Sequence, residues 1–189
     1  MFTIHGINIH PGLAKGKMKN ACLIAGELIA MLPANETPAT TEGYEGFYHL
    51  NFIEGREEEA TLKYIVRDHS MEKFKERKMF LEKVAEKLNA RYGEGTVEVK
   101  IKDSYYNMKE KLEGHEYIIE RAKNAMKAEG VTPIIRPIRG GTDGARLSWQ
   151  GLPCPNLSTG GYNFHGRFEY IPVQSMEKMV DILTRLVSV

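Results

Sequence analysis

The chain has 189 residues, of which 42% are hydrophobic and 27% charged, a composition typical of a folded globular protein rather than a disordered or fibrous one. Its 26 basic and 25 acidic side chains give a formal net charge of +1, which offers nucleic acid no overall electrostatic attraction. No apolar run reaches membrane-spanning length, no signal peptide is recognisable, and Cys22 and Cys154 are predicted to be small buried apolar residues, so we expect a cytoplasmic protein with neither membrane nor nucleic-acid partners.

The first half of the chain begins with a strand, a helix and a hairpin. Phe2-Thr3-Ile4 predicts a strand, and apolar residues recurring at spacings of three and four over residues 18–32 predict an amphipathic helix. A loop rich in Pro, Thr, Glu and Gly covers residues 33–46. Two alternating runs, 47–54 and 60–66, then flank a polar turn and predict an antiparallel hairpin.

A long helix and a further strand complete this part of the chain. Apolar residues at helical spacing predict a helix over Met71–Tyr92, with Ser70 as its N-cap. Clean alternation over Thr96–Lys102 predicts a strand. The resulting order, β-α-β-β-α-β, is that of the ferredoxin-like fold, in which two helices cover one face of the sheet and the other face stays available to a partner.

The second half follows a different pattern. Helical spacing predicts helices over residues 116–129, 145–149 and 176–186, and short apolar runs predict buried strands at Pro133–Ile138 and Pro155–Leu157. Helices that alternate with apolar strands indicate a parallel α/β layer, but two strands are too few for a stable sheet. We therefore expect this half to be part of a larger α/β domain.

His165 lies in the most informative loop of the chain, close to Gly160, Gly161 and Gly166. Glycines let the backbone turn tightly and approach a ligand closely, so an imidazole on such a loop is placed like a metal ligand or a catalytic base. The sequence contains no second cluster of ligands at metal spacing, and one histidine cannot hold a metal ion. His165 is therefore either a loop histidine with a satisfied hydrogen bond or one part of a site.

Arg136 and Arg139 flank the glycine loop Gly140–Gly144. An arginine on such a loop suits bidentate binding of a carboxylate or a phosphate. The alternative is that Asp143 caps the next helix and the two arginines are solvated. The loop is not a nucleotide-binding P-loop, because it lacks the GK[ST] ending.

His10, Arg67 and Asn107 are weaker candidates. His10 precedes a helix in a turn, from which it can donate a hydrogen bond to an anionic transition state, although a simple turn histidine is the more common case. Arg67 ends a strand beside Asp68, a pairing that is usually a solvated feature of the rim. Asn107 lies at the junction of the two halves, where loops carry functional residues more often than helix faces do.

Five sequence strings stand out together and in a fixed order. They are Asn8–Gly16, Thr40–Leu50, Asp103–Met108, Arg136–Gly144 and Pro153–Gly166. On these strings the chain resembles the peptidase T family, the cytosolic tripeptide aminopeptidases of bacteria within the dinuclear-zinc M20 metallopeptidases. The resemblance extends over essentially the whole chain.

The resemblance implies a fold and a set of roles. Residues 1–104 correspond to a ferredoxin-like lid that serves as the dimerisation domain, and residues 105–189 to the C-terminal segment of an α/β phosphorylase/hydrolase-like catalytic domain. His165 matches a zinc ligand, and His10 matches the lid histidine that polarises the scissile carbonyl. The positions matched to holding the peptide or carboxylate end of a tripeptide substrate are Arg67, Asn107 and Arg139.

The resemblance also implies that part of a site is absent. The family's N-terminal catalytic half, with the other ligands of its two zinc ions and its general base, has no counterpart in this sequence. We therefore expect the isolated chain not to hydrolyse tripeptides, to form a homodimer through the lid sheet, and to need the missing half for a complete zinc site. The alternatives are a non-catalytic dimerisation or interaction module and a small-molecule regulatory domain that uses the Gly140-Gly141 loop.

Overall fold

The chain divides into two compact units, Met1–Ser104 and Tyr105–Val189, and the computed structural model describes residues 1–188. The first unit combines a sheet with two long helices. The second contains helices and irregular segments. Within residues 1–188 no helix is both long enough and apolar enough to cross a membrane.

The first unit contains one antiparallel sheet of four strands. Its elements are β1 (Phe2–His5), α1 (Ala21–Met31), β2 (Phe47–Gly55), β3 (Glu59–Arg67), α2 (Met71–Tyr92) and β4 (Val97–Val99). The strands lie in the order β2-β3-β1-β4, so β1 pairs with β3 on one side and with β4 on the other. The elements follow one another along the chain in the predicted order. The last strand is shorter than predicted, since Ile101 lies beyond the sheet and is exposed.

One face of this sheet forms the core of the unit with both helices. Phe2, Ile4 and Leu62 of the sheet are fully buried, and Ile24, Leu28 and Leu88 of the helices pack against them. Phe2 lies opposite both Leu62 and Val99, so the register of β1 places its apolar side chains on the face that the helices cover. Burial of these large side chains is the main source of the unit's stability.

Side chains at the helix starts explain where the helices begin. The predicted cap of α2 is confirmed, because the Ser70 hydroxyl accepts a hydrogen bond from the backbone N–H of Lys73 at 3.3 Å. The start of α1 was predicted too early, since Asn20 caps this helix by accepting from the N–H groups of Cys22 and Leu23. The prediction that Cys22 is buried is wrong: it is exposed, because the buried face of α1 runs through Ala21, Ile24, Ala25 and Leu28.

Tyr64 on β3 makes the first unit sensitive to alkaline pH. Burial raises the pKa of its phenol to about 12, and its ring contacts Phe2 edge to face at 6.1 Å between centroids. Because the folded state favours the neutral phenol, this contribution to stability is full below the unfolded pKa near 10 and is lost as the pH rises towards 12. We expect urea unfolding at pH 11 to show a loss of about 1 kcal/mol relative to pH 9, a value reduced for the partial exposure of the side chain.

A substitution isolates this effect. Tyr64→Phe keeps the ring and removes the ionisable group, so it should abolish this part of the alkaline loss. Tyr117→Phe is the matched control, since Tyr117 is exposed and lies in the other unit. Equal alkaline losses in the parent chain and Tyr64→Phe would show that the phenol is not responsible.

The described residues of the second unit, 105–188, form four helices and their connecting segments. They are α3 (Lys109–Leu112), α4 (Glu116–Ala128), α5 (Asp143–Trp149) and α6 (Val173–Val187). The long helices α4 and α6 pack together. Beside this contact, Arg185 Nε lies 2.5 Å from Oε1 of Glu129, the residue after α4, and Arg121 Nη2 donates to the Leu186 carbonyl at 3.0 Å.

The predicted parallel layer is wrong for this unit as described. Neither Pro133–Ile138 nor Pro155–Leu157 forms a strand, and the unit's described β pairing is an isolated bridge between Tyr162 and Tyr170. The physical reason is that a strand needs a neighbour for its hydrogen bonds, and none of the described residues supplies one here. Cys154 is half-buried beside the second of these segments.

Candidate functional site

His10 occupies a defined position at the start of a short 3-10 helix, Pro11–Leu13. Its ring Nδ1 accepts a hydrogen bond from the backbone N–H of Gly12 at 3.1 Å, and the side chain is exposed. In a neutral imidazole, the nitrogen that accepts carries no proton, so Nε2 carries it. The exposed ring therefore presents an N–H donor to its surroundings, as the predicted role in polarising a carbonyl requires.

Arg67 is half-buried at the last position of β3, next to a network of ion pairs that was not predicted from the sequence. The expectation of a solvated Arg67–Asp68 pair is wrong, because the Asp68 side chain is 2% exposed and binds Arg77 Nε at 2.9 Å. Asp68 also accepts from the backbone N–H of Ser70 at 2.9 Å, and Arg77 forms a second ion pair with Glu36. The end of β3 is thus fixed by a buried carboxylate rather than left at a mobile rim.

A loop lies directly against this end of β3. A Cβ atom added at Gly46 would lie 2.1 Å from Asp68 Oδ2 and 2.6 Å from the Arg67 carbonyl oxygen, so only glycine allows this approach. Two residues earlier, the exposed Tyr44 ring meets His69 edge to face at 5.1 Å. Neither Tyr44 nor His69 was identified as a candidate site residue from the sequence. The position of His69, two residues after the candidate Arg67, could have indicated it.

Asn107 lies in the second unit on a segment held by Trp149. The indole Nε1 donates to the Asn107 carbonyl at 3.2 Å, and the Tyr106 ring contacts the indole at 5.4 Å. Asn107 Oδ1 accepts from the backbone N–H of Lys109 at 3.0 Å, and the Lys111 ammonium lies 4.2 Å from the indole ring centre. Trp149 was not singled out from the sequence, because its partners lie some forty residues away.

The loop that follows Arg139 packs against two other segments of this unit. An added Cβ at Gly141 would lie 1.6 Å from the Tyr105 hydroxyl oxygen, and one at Gly144 would lie 2.5 Å from the Cys154 carbonyl oxygen. The contact between Gly141 and Tyr105 brings the Arg139 loop beside the segment that carries Asn107. Two of the predicted site residues, Asn107 and Arg139, therefore belong to neighbouring segments.

The start of α5 differs from the prediction. Thr142 rather than Asp143 is the N-cap, since the Thr142 hydroxyl accepts from the N–H of Ala145 at 3.2 Å. Asp143 places a carboxylate in the first turn of a seven-residue helix, where it opposes the binding of an anion. Arg136 is exposed, which agrees with the alternative that this arginine is solvated rather than bound to an anion.

His165 lies at the tip of a closed loop. Backbone hydrogen bonds of 2.9 and 3.2 Å join Tyr162 and Tyr170 at its base, and their rings stack at 5.1 Å. At the tip, Asn163 and His165 have φ values of 56° and 63°, a conformation that residues other than glycine rarely adopt. The His165 N–H donates to Glu169 Oε2 at 3.0 Å, and its imidazole is exposed. Such strain in a fixed loop is characteristic of functional residues.

The described residues alone do not fit a metal ion. Within residues 1–188, no three His, Cys, Asp or Glu side chains come close enough together to bind one. Catalytic zinc sites use three protein ligands, so His165 without such neighbours does not form one.

Comparisons with known proteins show a match to one family. Residues 1–96 match the M20 family model described as the peptidase dimerisation domain. Peptidase T of Halothermothrix orenii is 57% identical over 185 residues, which cover 98% of this chain and 45% of that protein. Peptidase T of Caldanaerobacter subterraneus is 55% identical, with 97% and 45% covered. The chain thus spans about half the length of the curated relatives it matches.

Two solved structures share the fold. The aminopeptidase PepT from Bacillus cereus has a TM-score of 0.71, and a tripeptidase from Staphylococcus aureus has a TM-score of 0.77. Each is 21% identical to this chain, and each match covers 98% of this chain and 49% of the solved one.

Proposed function

Because the chain belongs to the M20 peptidase family, we propose that it forms part of a tripeptide aminopeptidase that removes the N-terminal residue of its substrate. The structural observation that carries this proposal is the strained, fixed loop that holds the exposed imidazole of His165. The names of the relatives support the reaction class. The candidate site residues support the reaction through the individual roles proposed for them below.

The proposed roles follow from the side chains. His10 donates from Nε2 to the carbonyl oxygen of the scissile bond, because its Nδ1 is already engaged by Gly12. The positions proposed to hold the peptide or carboxylate end of the substrate are Arg67, Asn107 and Arg139. Fixing the carboxylate limits the length of the substrate, which is how a preference for tripeptides arises.

His165 is proposed as one zinc ligand of a dinuclear site whose other ligands lie outside the described residues. Since the described residues do not form the site, we expect the chain alone not to hydrolyse tripeptides. The proposed location is the cytoplasm, a reducing compartment, which the two free cysteines support.

The two units are proposed to have separate tasks. Residues 1–104 are proposed as a ferredoxin-like lid, which the strand order β2-β3-β1-β4 supports, and as the homodimer contact through its sheet. Residues 105–189 are proposed as the C-terminal segment of the catalytic domain. A non-catalytic dimerisation module is the second candidate, favoured by the nine-residue edge strand β2.

A chimera tests the activity. The matched 185 residues of the Halothermothrix orenii relative are replaced by this chain, and tripeptide turnover is measured. We expect turnover by the chimera and none by the isolated chain. His165→Ala should lower kcat/KM of the chimera by about 100-fold or more, since loss of even an outer-shell partner of a metal ligand costs about 10- to 100-fold.

The matched control is His115→Ala, a half-buried histidine of the same unit beside the Tyr117 ring, which should leave turnover unchanged. A correctly folded chimera without turnover would contradict the proposed reaction. Turnover by the isolated chain that His165→Ala abolishes would contradict only the incompleteness of its site.

A further inference from the structure

A cleft of about 520 Å³ lies in the first unit, between helix α2 and the start of the loop that follows α1. The helix contributes side chains that recur at spacings of three and four, and the loop contributes Pro33 and Glu36. Small-molecule sites in proteins have volumes of about 300–1,000 Å³. The cleft therefore has the size of a ligand site.

The floor of the cleft is apolar. The Tyr48 and Phe80 rings meet there with their centroids 6.2 Å apart, and Tyr48 is 5% exposed. Met79 lines the same cleft and is 49% exposed, so part of the apolar surface is open to a ligand. A methionine beside aromatic rings adapts to apolar groups of different shapes. A ligand that fills the cleft therefore needs an apolar part.

Two of the charged groups that line the cleft are already engaged within the protein. Arg77 and Glu36 form an ion pair with each other, and Arg77 also binds the buried Asp68 carboxylate. A ligand that bound either group would have to compete with this network. The charges that select a ligand are therefore the remaining ones, which lie on α2.

These remaining charges are Lys73, Glu76 and Lys83, all of which are exposed. Within residues 1–188, the side chains of these three residues form no hydrogen bond or ion pair. Glu76 and Lys83 are two turns apart, which at about 1.5 Å per residue separates them by about 10 Å along the helix axis. The cleft thus presents an open carboxylate and an open ammonium group that are separated along an apolar floor.

We propose that this cleft binds a short zwitterionic peptide with apolar side chains, of which a dipeptide is the smallest. The peptide ammonium pairs with Glu76, its terminal carboxylate pairs with Lys83, and its side chains lie on the apolar floor. An extended dipeptide spans about 7 Å, and the two long, flexible protein side chains cover the remaining distance. A free amino acid carries both charges on neighbouring groups and does not reach both partners.

A titration of the full chain with L-leucyl-L-leucine tests the site. Binding is followed by NMR through the amides of residues 73–83, and we expect a dissociation constant of about 1 mM or lower. Acetylation of the peptide removes its ammonium group, and amidation removes its carboxylate. Each change should weaken binding by about threefold or more, and so should replacing the dipeptide with free L-leucine, because each loses one ion pair.

Matched variants of α2 assign the two ends of the peptide. Glu76→Gln should weaken binding of the dipeptide but not that of the acetylated peptide, and Lys83→Gln should weaken binding of the dipeptide but not that of the amide. Glu86→Gln and Lys87→Gln are the controls. They remove the same charges from exposed positions of α2 that do not line the cleft, so they should change the dissociation constant by less than about twofold.

Three results would overturn the proposal. Equal affinities for the dipeptide and its two blocked forms would show that the charges do not select the ligand. Equal effects of Glu76→Gln and Glu86→Gln would show that Glu76 belongs to a solvated helix face only. Shifts confined to the segment of Arg139 would show that the peptide binds at the proposed substrate site and not in the cleft. The titration measures binding alone, so a chimera without turnover contradicts the proposed reaction and leaves this result unchanged.

Discussion

Replacing Arg77 with alanine is expected to lower the free energy of unfolding of the first unit by about 3–5 kcal/mol. The Arg77 side chain is 14% exposed, and its guanidinium binds the buried Asp68 carboxylate and Glu36 while lying 4.9 Å from the Tyr48 ring centre. Burial acts to lower the pKa of Arg77, but the hydrogen bonds to Asp68 and Glu36 outweigh it, so its pKa is raised and it stays charged. Removing it leaves the Asp68 charge buried without its partner.

The matched control is Arg91→Ala on the same helix, α2. Arg91 also forms an ion pair, with Glu27 at 2.5 Å, but its side chain is 65% exposed. Solvent screens such a pair, so its loss should cost less than about 1 kcal/mol. Amide exchange of β1 and β3 in urea reports the free energy of unfolding of this unit. Equal costs for the two variants would show that burial does not set the strength of the Arg77 network.

The Arg77 network also bears on the proposed substrate site. Asp68 lies between Arg67 and His69, and Gly46 brings the Tyr44 loop against the same carboxylate. Loss of Arg77 should therefore release the end of β3 as well as destabilise the core. In the chimera this predicts a higher KM for Arg77→Ala than for Arg91→Ala.

Local patterns were sufficient to predict most of the first unit. The limits of α2 follow from helical spacing, an N-cap at Ser70 and Gly93 after the last turn, all within one stretch of sequence. The hairpin follows from alternation on either side of a polar turn. The Arg77 network did not follow, because Glu36 and Asp68 are 41 and 9 residues from their partner and nothing local marks either carboxylate as buried.

The second unit shows where local patterns stop being sufficient. Pro133–Ile138 has the composition of a buried strand, but a strand forms only when another strand supplies hydrogen bonds. The sequence pattern therefore predicts pairing with a neighbouring strand, which none of the described residues provides. Glycines were also ambiguous: those near Arg139 suggested a close approach to a ligand, whereas Gly141 and Gly144 contact Tyr105 and Cys154.

Substitutions at two glycines of the same loop distinguish a role in packing from a role in the close approach of a ligand. Gly144→Ala should lower the free energy of unfolding of the second unit by about 2–3 kcal/mol, because the new Cβ would lie 2.5 Å from a backbone carbonyl that cannot easily move. Gly140→Ala should instead raise it by up to about 1 kcal/mol, since its Cβ would meet no atom within 4 Å and its φ is not positive. Trp149, the chain's single tryptophan, lies at the end of α5 and reports both transitions by fluorescence.

The same pair then tests the proposed carboxylate site at Arg139. If a substrate carboxylate approaches the backbone at Gly140, the added methyl group of Gly140→Ala obstructs it, so KM of the chimera rises while stability does not fall. Gly144→Ala has the opposite signature, a loss of stability caused by packing against Cys154 rather than by contact with substrate. A Gly140→Ala chimera with unchanged KM would show that the substrate binds away from this loop. Arg139 would then have a structural role in the loop rather than a role in substrate binding.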